Sequence, residues 1–424
     1  MINKTRTSTI KAALLRYREI KSRNGSSYAR SVLMKKLWSV IATLLISPLI
    51  KLKGLLQNQN NVQKNRKDTQ ISLNTNNTKK GIKIFFVVGG YMSAGGGHRN
   101  IIRLAYYLEN FGYDVTIGVS DIAFGDSKIS KYVRSLYPFS GEVFRLNRGA
   151  RKFHADVAIA TQWQTVEIVK EQFGPQTKRV YLVQDLEYLF YPMGDNYLAA
   201  EDTYRQGFFH ICSGPWCKAK LIKKYNAVAE YFEFPVDKNI YNDNQEKERF
   251  KNRIVFFAKP EMPRRCFSLG VKALSILAKK LPNIEIVMFG SKDISQFNFD
   301  FNYIDLSILP TIEDLADLYR SGTIGLAFST TNPSLVPYEM LACGLVVVDL
   351  KFDNSEINYG GNEDSVLLAD PFPEAIANKI FKALSLSDSE LTARRQKGFD
   401  LVNRFPSEME TAKVFEQHIL KAIS

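Results

Sequence analysis

The chain has 424 residues, 45% of them hydrophobic, enough to bury two ordinary cores and too apolar for a disordered or collagen-like polymer. Its formal charge of +14 is unevenly spread: residues 1–80 hold 17 Lys or Arg against Glu19 and Asp68, whereas the remainder holds 40 basic and 41 acidic residues. A body this close to neutral excludes a basic nucleic-acid binder, so no nucleic-acid partner is expected.

Cys212, Cys217, Cys266 and Cys343 form neither a paired framework nor a zinc spacing, which fits a reduced, cytoplasmic compartment. His98, His154, His210 and His418 have no HExxH or HxH spacing, and no Asp-x-Asp occurs. No metal and no other cofactor is expected.

In chain order, the basic extension comes first. Leu37–Ile50 (LWSVIATLLISPLI) is apolar and flanked by Lys35, Lys36, Lys51 and Lys53. It falls short of the roughly 20 residues a helical span needs. Two readings stand side by side: a helix lying in an anionic membrane surface, or one packing on the body or a partner. The first implies peripheral association through residues 1–56 at the inner face of the cell membrane. The run begins too late for a signal peptide, and residues 57–80 read as a polar tether.

From Gly81 the grammar alternates between strand and helix. Ile82–Val88 is a buried strand ending in Gly89-Gly90, Ile101, Ala105, Leu108 and Phe111 recur at helical spacing, and Tyr113–Val119 is the next strand. Further strands are expected at Asp156–Thr161, Arg179–Val183, Phe208–Cys212 and Ala229–Phe234. Ser213 is expected to cap a helix opening at Pro215. The polar segment Pro235–Lys251 marks a boundary. Beyond it, strands Arg253–Ala258, Ile284–Gly290, Ile324–Ser329 and Leu345–Leu350 alternate with helices at Leu269–Leu281, after Thr311 and around Pro337–Cys343. The expected organisation is α/β: an extension (1–80), two doubly wound Rossmann-like domains (81–245 and 246–400), and a final helix (401–424) crossing back to the first. Such a pair holds its ligand in the cleft between the domains.

Three segments carry chemistry. Gly89 to His98 (GGYMSAGGGH) joins a strand to a helix, where glycines such as Gly95 and Gly96 let backbone approach a charged ligand. Lys259, Arg264 and Arg265 follow the first strand of the second domain, three cations suited to holding an anion. Ser329 to Gly344 (STTNPSLVPYEMLACG) runs from a strand end into a helix with Glu339 in its first turn, placed to accept hydrogen bonds from ribose hydroxyls. Of the loop aromatics, Trp163 is the one expected in the cleft.

YEMLACGLVVV resembles the closing half of the E-x7-E segment of glycosyltransferase family 4, a retaining family of GT-B fold. VQDLEYLFYPMG (183–194) followed by AEDTY (200–204) resembles the corresponding segment of WsaF-type rhamnosyltransferases, over roughly residues 81–424. The resemblance implies transfer of L-rhamnose from dTDP-β-L-rhamnose to a rhamnose-containing or lipid-linked acceptor in S-layer glycan or O-antigen synthesis, with retention and a β linkage. By position, Lys259 and Arg264 or Arg265 match the basic pair holding the donor diphosphate, and Glu339 the ribose-binding glutamate. The family's leading glutamate is replaced here by Thr331. Donor contacts are then expected from Thr331, Asn332, Ser334, Leu335 and Val336, with Gly95 and Gly96. Asp185 and Glu187 are candidates for a base or for positioning acceptor hydroxyls, and Gln184, Tyr191, His98 and Trp163 complete the expected acceptor side. Competing readings are a non-catalytic nucleotide-sugar-binding module, a transferase using another nucleotide sugar, and a dinucleotide oxidoreductase, against which the lack of GxGxxG counts.

Overall fold

Strand β1 (Lys83–Val88) places Ile84, Phe86 and Val88 on one face and Phe85 and Val87 on the other, and all five are buried. A strand apolar on both faces must be covered on both, the condition for a parallel sheet between two helical layers. The computed structural model describes residues 81–90, 96–120, 125–147, 152–244, 248–361 and 364–424. The basic extension with its apolar run, and Gly95, lie outside these residues.

Among the described residues the strands form two parallel sheets. The first comprises β1, β2 (Asp114–Val119), β3 (Glu142–Arg145), β4 (Val157–Ala160), β5 (Lys178–Val183), β6 (Phe209–Ser213) and β7 (Ala229–Phe232), in the order β3-β2-β1-β4-β5-β6-β7. The second comprises β8 (Arg253–Phe257), β9 (Glu285–Phe289), β10 (Ile304–Asp305), β11 (Ile324–Leu326), β12 (Val346–Leu350) and β13 (Leu367–Ala369), in the order β10-β9-β8-β11-β12-β13. Each sheet is buried on both sides: Ile84 and Phe86 belong to one core and Phe85 and Val87 to another, as Ile254 and Phe256 are separated from Val255.

In both sheets the strand order reverses beside the first strand. β1 pairs with β2 on one side and β4 on the other, and β8 with β9 and β11. Chain leaving the carboxyl ends of such neighbours turns to opposite faces, opening a crevice. The loops after β1, β4, β8 and β11 therefore form the site.

The last helix, Glu408–Ile423, is started by a reciprocal cap between Ser407 and Glu410. It buries Ala412, Phe415 and Ile419 in the core of the first sheet, with the Phe415 ring 5.8 Å from that of Phe232.

Several elements were not expected: β3, β10, β13 and the helices Asp126–Leu136, Asp195–Asp202 and Asp353–Asn358. β10 has two residues and β3 is a half-exposed edge strand, so neither prints a hydrophobic period. The expected cap at Ser213 is corrected: Gly214 takes that place, with φ +86° and no side-chain cap. A Cβ on Gly214 would lie 2.7 Å from Asn358 Oδ1 of the second domain, so close approach between the domains demands glycine. Among the described residues no helix is long and apolar enough to cross a membrane, and no group of three or more His, Cys, Asp or Glu is placed to hold a metal ion.

Candidate active site

The first wall of the cleft is built from the loops after β1, β4 and β5. A Cβ on Gly89 would meet Gln162 Oε1 at 2.5 Å, so the first two loops touch through glycine. The helix Gly96–Asn110 follows and carries His98, whose Nε2–H donates to the Gly89 carbonyl at 3.2 Å; burial lowers its pKa and keeps the ring neutral. Gln184, just after β5, accepts from Asn100 Nδ2 at 2.8 Å and donates to the Gly97 carbonyl at 3.2 Å. Asn100 is held in turn by Arg103, whose guanidinium reaches Glu408 of the last helix at 3.4 Å.

Trp163 begins the helix Trp163–Gln172, and its backbone N–H donates to Glu187 Oε2 at 2.7 Å. Its indole N–H donates to the Tyr191 hydroxyl at 3.1 Å, with the rings edge-on. Part of Glu187 remains accessible, yet its carboxyl is enclosed deeply enough that desolvation pushes its pKa up to about 8. The Trp163 N–H and the Arg264 charge oppose that shift without cancelling it. So enclosed, this carboxyl favours its protonated form near neutral pH. His98, Trp163, Gln184, Glu187 and Tyr191 thus share one wall.

The facing wall follows β8 and β11. Lys259 Nζ pairs with Glu261 Oε1 at 2.9 Å, and Glu261 also accepts from Ser291. Arg264 and Arg265 sit on the single turn Pro263–Arg265, where burial lowers the pKa of both guanidiniums. Among the described residues neither forms an ion pair, and the Nε of each is buried without a partner. Half-buried Arg264 and buried Arg265, with N–H donors left over, make a seat for an anion.

After β11, Thr331 and Asn332 are buried, and half-buried Ser334, Leu335 and Val336 lead into the short helix Val336–Ala342. Glu339 lies in its first turn; burial pushes its pKa up to about 7 against the Arg99 charge and a Tyr241 hydrogen bond. Behind the loop, Asp349 Oδ1 accepts from Ser329 N (3.1 Å) and Leu350 N (2.7 Å), and Oδ2 accepts from the Tyr359 hydroxyl (2.8 Å). Burial raises the Asp349 pKa to about 6. Asn354 donates to the carbonyls of Ser329 and Thr331.

The walls meet through Asp185. Its Oδ2 accepts from Thr331 Oγ1 at 2.7 Å, and its Oδ1 from Asn332 N at 3.0 Å and Leu186 N at 2.8 Å. Asn332 Nδ2 donates to the carbonyls of Gln184 (2.9 Å) and Ser213 (2.7 Å). Asp185 is a candidate for a base or for positioning acceptor hydroxyls, and Asn332 an expected donor contact. Both side chains are hydrogen-bonded between the domains. Gly96 is exposed at its helix start.

Sequence reasoning passed over Arg99, Asp349, Asn354 and Asn358. Asp349 did leave a signal, a lone carboxylate within the apolar run LVVVDL. Arg99 became visible only when the first helix was placed opposite Glu339.

Two doubly wound domains facing each other at their switch points define the GT-B class, and solved structures share this fold. Sucrose-phosphate synthase from Thermosynechococcus elongatus superposes with a TM-score of 0.62 at 15% identity, covering 81% of this chain and all of that one. HepE of Anabaena, in complex with UDP and glucose, gives 0.61 at 14% identity over 80% of this chain and all of its own. TarM gives 0.65 at 8% identity over 81% of this chain and 99% of its own. Residues 144–212 match the family model of the WsaF N-terminal domain, and residues 252–381 that of the WsaF C-terminal domain. The O-antigen biosynthesis protein RfbC of Myxococcus xanthus is 31% identical over 236 residues, 54% of this chain, which spans 18% of that relative's length. Together these matches support a WsaF-type glycosyltransferase.

Proposed function

We propose that the protein transfers L-rhamnose from dTDP-β-L-rhamnose to a rhamnose-containing or lipid-linked acceptor in bacterial surface polysaccharide synthesis, with retention and without a metal. The observation that carries the reading is the pair of half-buried Arg264 and buried Arg265 at the second switch point, neither of them in an ion pair among the described residues. Cleaving the anomeric C–O bond leaves negative charge on the nucleoside diphosphate and positive charge on the sugar. Fixed guanidiniums stabilise the first, and they gain most when water is excluded, as between these walls. Lys259 adds a third cation, already oriented by Glu261.

With Asp185 engaged and Glu187 protonated near neutral pH, the leaving phosphate oxygen is the base that takes the acceptor hydroxyl's proton. Attack then comes from the face of departure, which gives retention. Glu339 supports the ribose, and Trp163 with Tyr191 offers aromatic edges to sugar C–H faces. Residues 1–56 would hold the enzyme at the inner face of the membrane, where a lipid-linked acceptor is extended.

The test is transfer of radiolabelled rhamnose from dTDP-rhamnose to a synthetic rhamnoside, with UDP-glucose as the competing donor. Lys259→Ala and Glu339→Ala are expected to lower the rate at least 100-fold while leaving the melting temperature within a few degrees of wild type. Tight dTDP binding with no turnover on any rhamnoside would favour a binding module, and wild-type rates in both variants would overturn the assigned roles.

A further inference from the structure

Asp185 reaches further than its neighbours require. One of its three hydrogen bonds is local, to Leu186 N, but the other two run to residues 146 and 147 positions away, Thr331 and Asn332, in the other domain. Asn332, 2% exposed, repeats the crossing from its own side by donating to the Gln184 and Ser213 carbonyls, and its Oδ1 accepts from Asn358 at 3.2 Å. The loop 329–332 is therefore fixed on its own domain by Asp349 and Asn354 and on the opposite domain by Asp185 and two carbonyls. The same loop accepts the arginine turn, since Thr330 N donates to the Arg264 carbonyl at 3.0 Å.

Asp185 lies in the field of both Arg264 and Arg265, yet forms an ion pair with neither. A carboxylate free to move there would neutralise a guanidinium. This one is tethered by a hydroxyl and two amide N–H groups, which carry no net charge, so the arginines keep their donors for an incoming anion.

We propose that Asp185 is a positioning residue, a clasp whose carboxylate crosses from the first domain to Thr331 and Asn332 and sets the loop 329–332, with the arginine turn attached, in donor-binding register. The proposal rests on the nucleotide-sugar reading only for what the ordered loop binds. A clasp of this kind raises the population of the binding-competent arrangement, and apparent affinity falls in proportion to any loss of it.

The experiment is hydrogen exchange by mass spectrometry on the full chain without ligand, in wild type, Asp185→Ala, Thr331→Val and the double variant. Each single change is expected to speed exchange at least tenfold both in 182–188 and in 328–334, because each side orders the other. Titration with dTDP is expected to show 5- to 30-fold weaker binding in each single variant, and no more in the double than in the weaker single. Thr331→Val keeps the side-chain shape, so it carries the test should Asp185→Ala fold poorly. Exchange that changes only in the substituted domain, or binding losses that multiply in the double variant, would overturn the clasp. Exchange is read without nucleotide, so a protein that ignores dTDP but shows the reciprocal exchange keeps the clasp and loses the donor.

Discussion

The Arg264 guanidinium carbon lies 3.9 Å from the centroid of the Phe190 ring, across the cleft from its own domain. The ring face holds the guanidinium without consuming its N–H donors, which a carboxylate would. Phe190→Leu removes the quadrupole and keeps most of the volume. Donor affinity is expected to fall by about 1–2 kcal/mol, roughly 5- to 30-fold, as read by calorimetric titration with dTDP. An unchanged affinity would mean that Arg264 is positioned by its backbone turn alone.

The unliganded protein has opposing titrations. Glu187, Glu339 and Asp349 have folded pKa values raised to about 8, 7 and 6, so the folded state holds their protons more tightly than the unfolded chain. Their contribution is full at acid pH and is lost as pH rises through those values, each at up to about 1.4 kcal/mol per pH unit. His210, lowered to about 4 by burial, works the other way: its contribution is present above the ordinary histidine pKa and lost as pH falls toward 4. Above the ordinary carboxyl range three carboxyls lose stability with rising pH against one histidine that gains it, so stability is expected to peak at about pH 4 to 5 and to fall to about pH 8, as a thermal melt series from pH 3 to 9 measures. Glu187→Gln should flatten the alkaline limb, and an unaltered limb would show that Glu187 is ionised in the folded protein.

Gly214 has φ +86° and faces Asn358 Oδ1 across the domain boundary. Gly214→Ala combines an unfavourable backbone conformation with close contacts to the Asn358 and Phe234 side chains. A loss of about 1–3 kcal/mol in stability is expected, measured by denaturant unfolding, together with weaker dTDP binding. Asn358→Ala in the same background should recover part of the loss. No recovery would assign the cost to backbone strain and to the Phe234 ring, which lies 2.9 Å from the same Cβ position.

The extension 1–80 gives the chain its charge, net +15, ahead of a nearly neutral body. Sedimentation with vesicles of phosphatidylglycerol and phosphatidylcholine is expected to capture the full chain at low salt and to lose it as ionic strength rises. A chain lacking residues 1–80 should stay in the supernatant and bind dTDP as before. Capture of the truncated chain would move the membrane contact onto the body.

Two domains, their parallel sheets and the position of the cleft follow from the order of residues, because hydrophobic period and glycine placement are local properties of the chain. The cation cluster at Lys259, Arg264 and Arg265 and the carboxylate of Glu339 are legible for the same reason: each directly follows a buried run that reads as a strand. The short elements β3 and β10 are not, since two to four half-exposed residues carry no period. The roles of Asp185 and Asn332 are not legible either. Sequence marks both as polar groups beside a strand end, and only the approach of one domain to the other brings them into hydrogen-bond contact. Burial is likewise a property of the assembled structure, so tertiary packing alone decides that the Glu187 carboxyl is pushed toward its protonated form and that Arg264 and Arg265 lie near Asp185 without an ion pair to it. The chain by itself determined the strands and the loops that follow them, and the partners and protonation of the groups lining the cleft were decided across it, where desolvation acts on residues far apart in sequence.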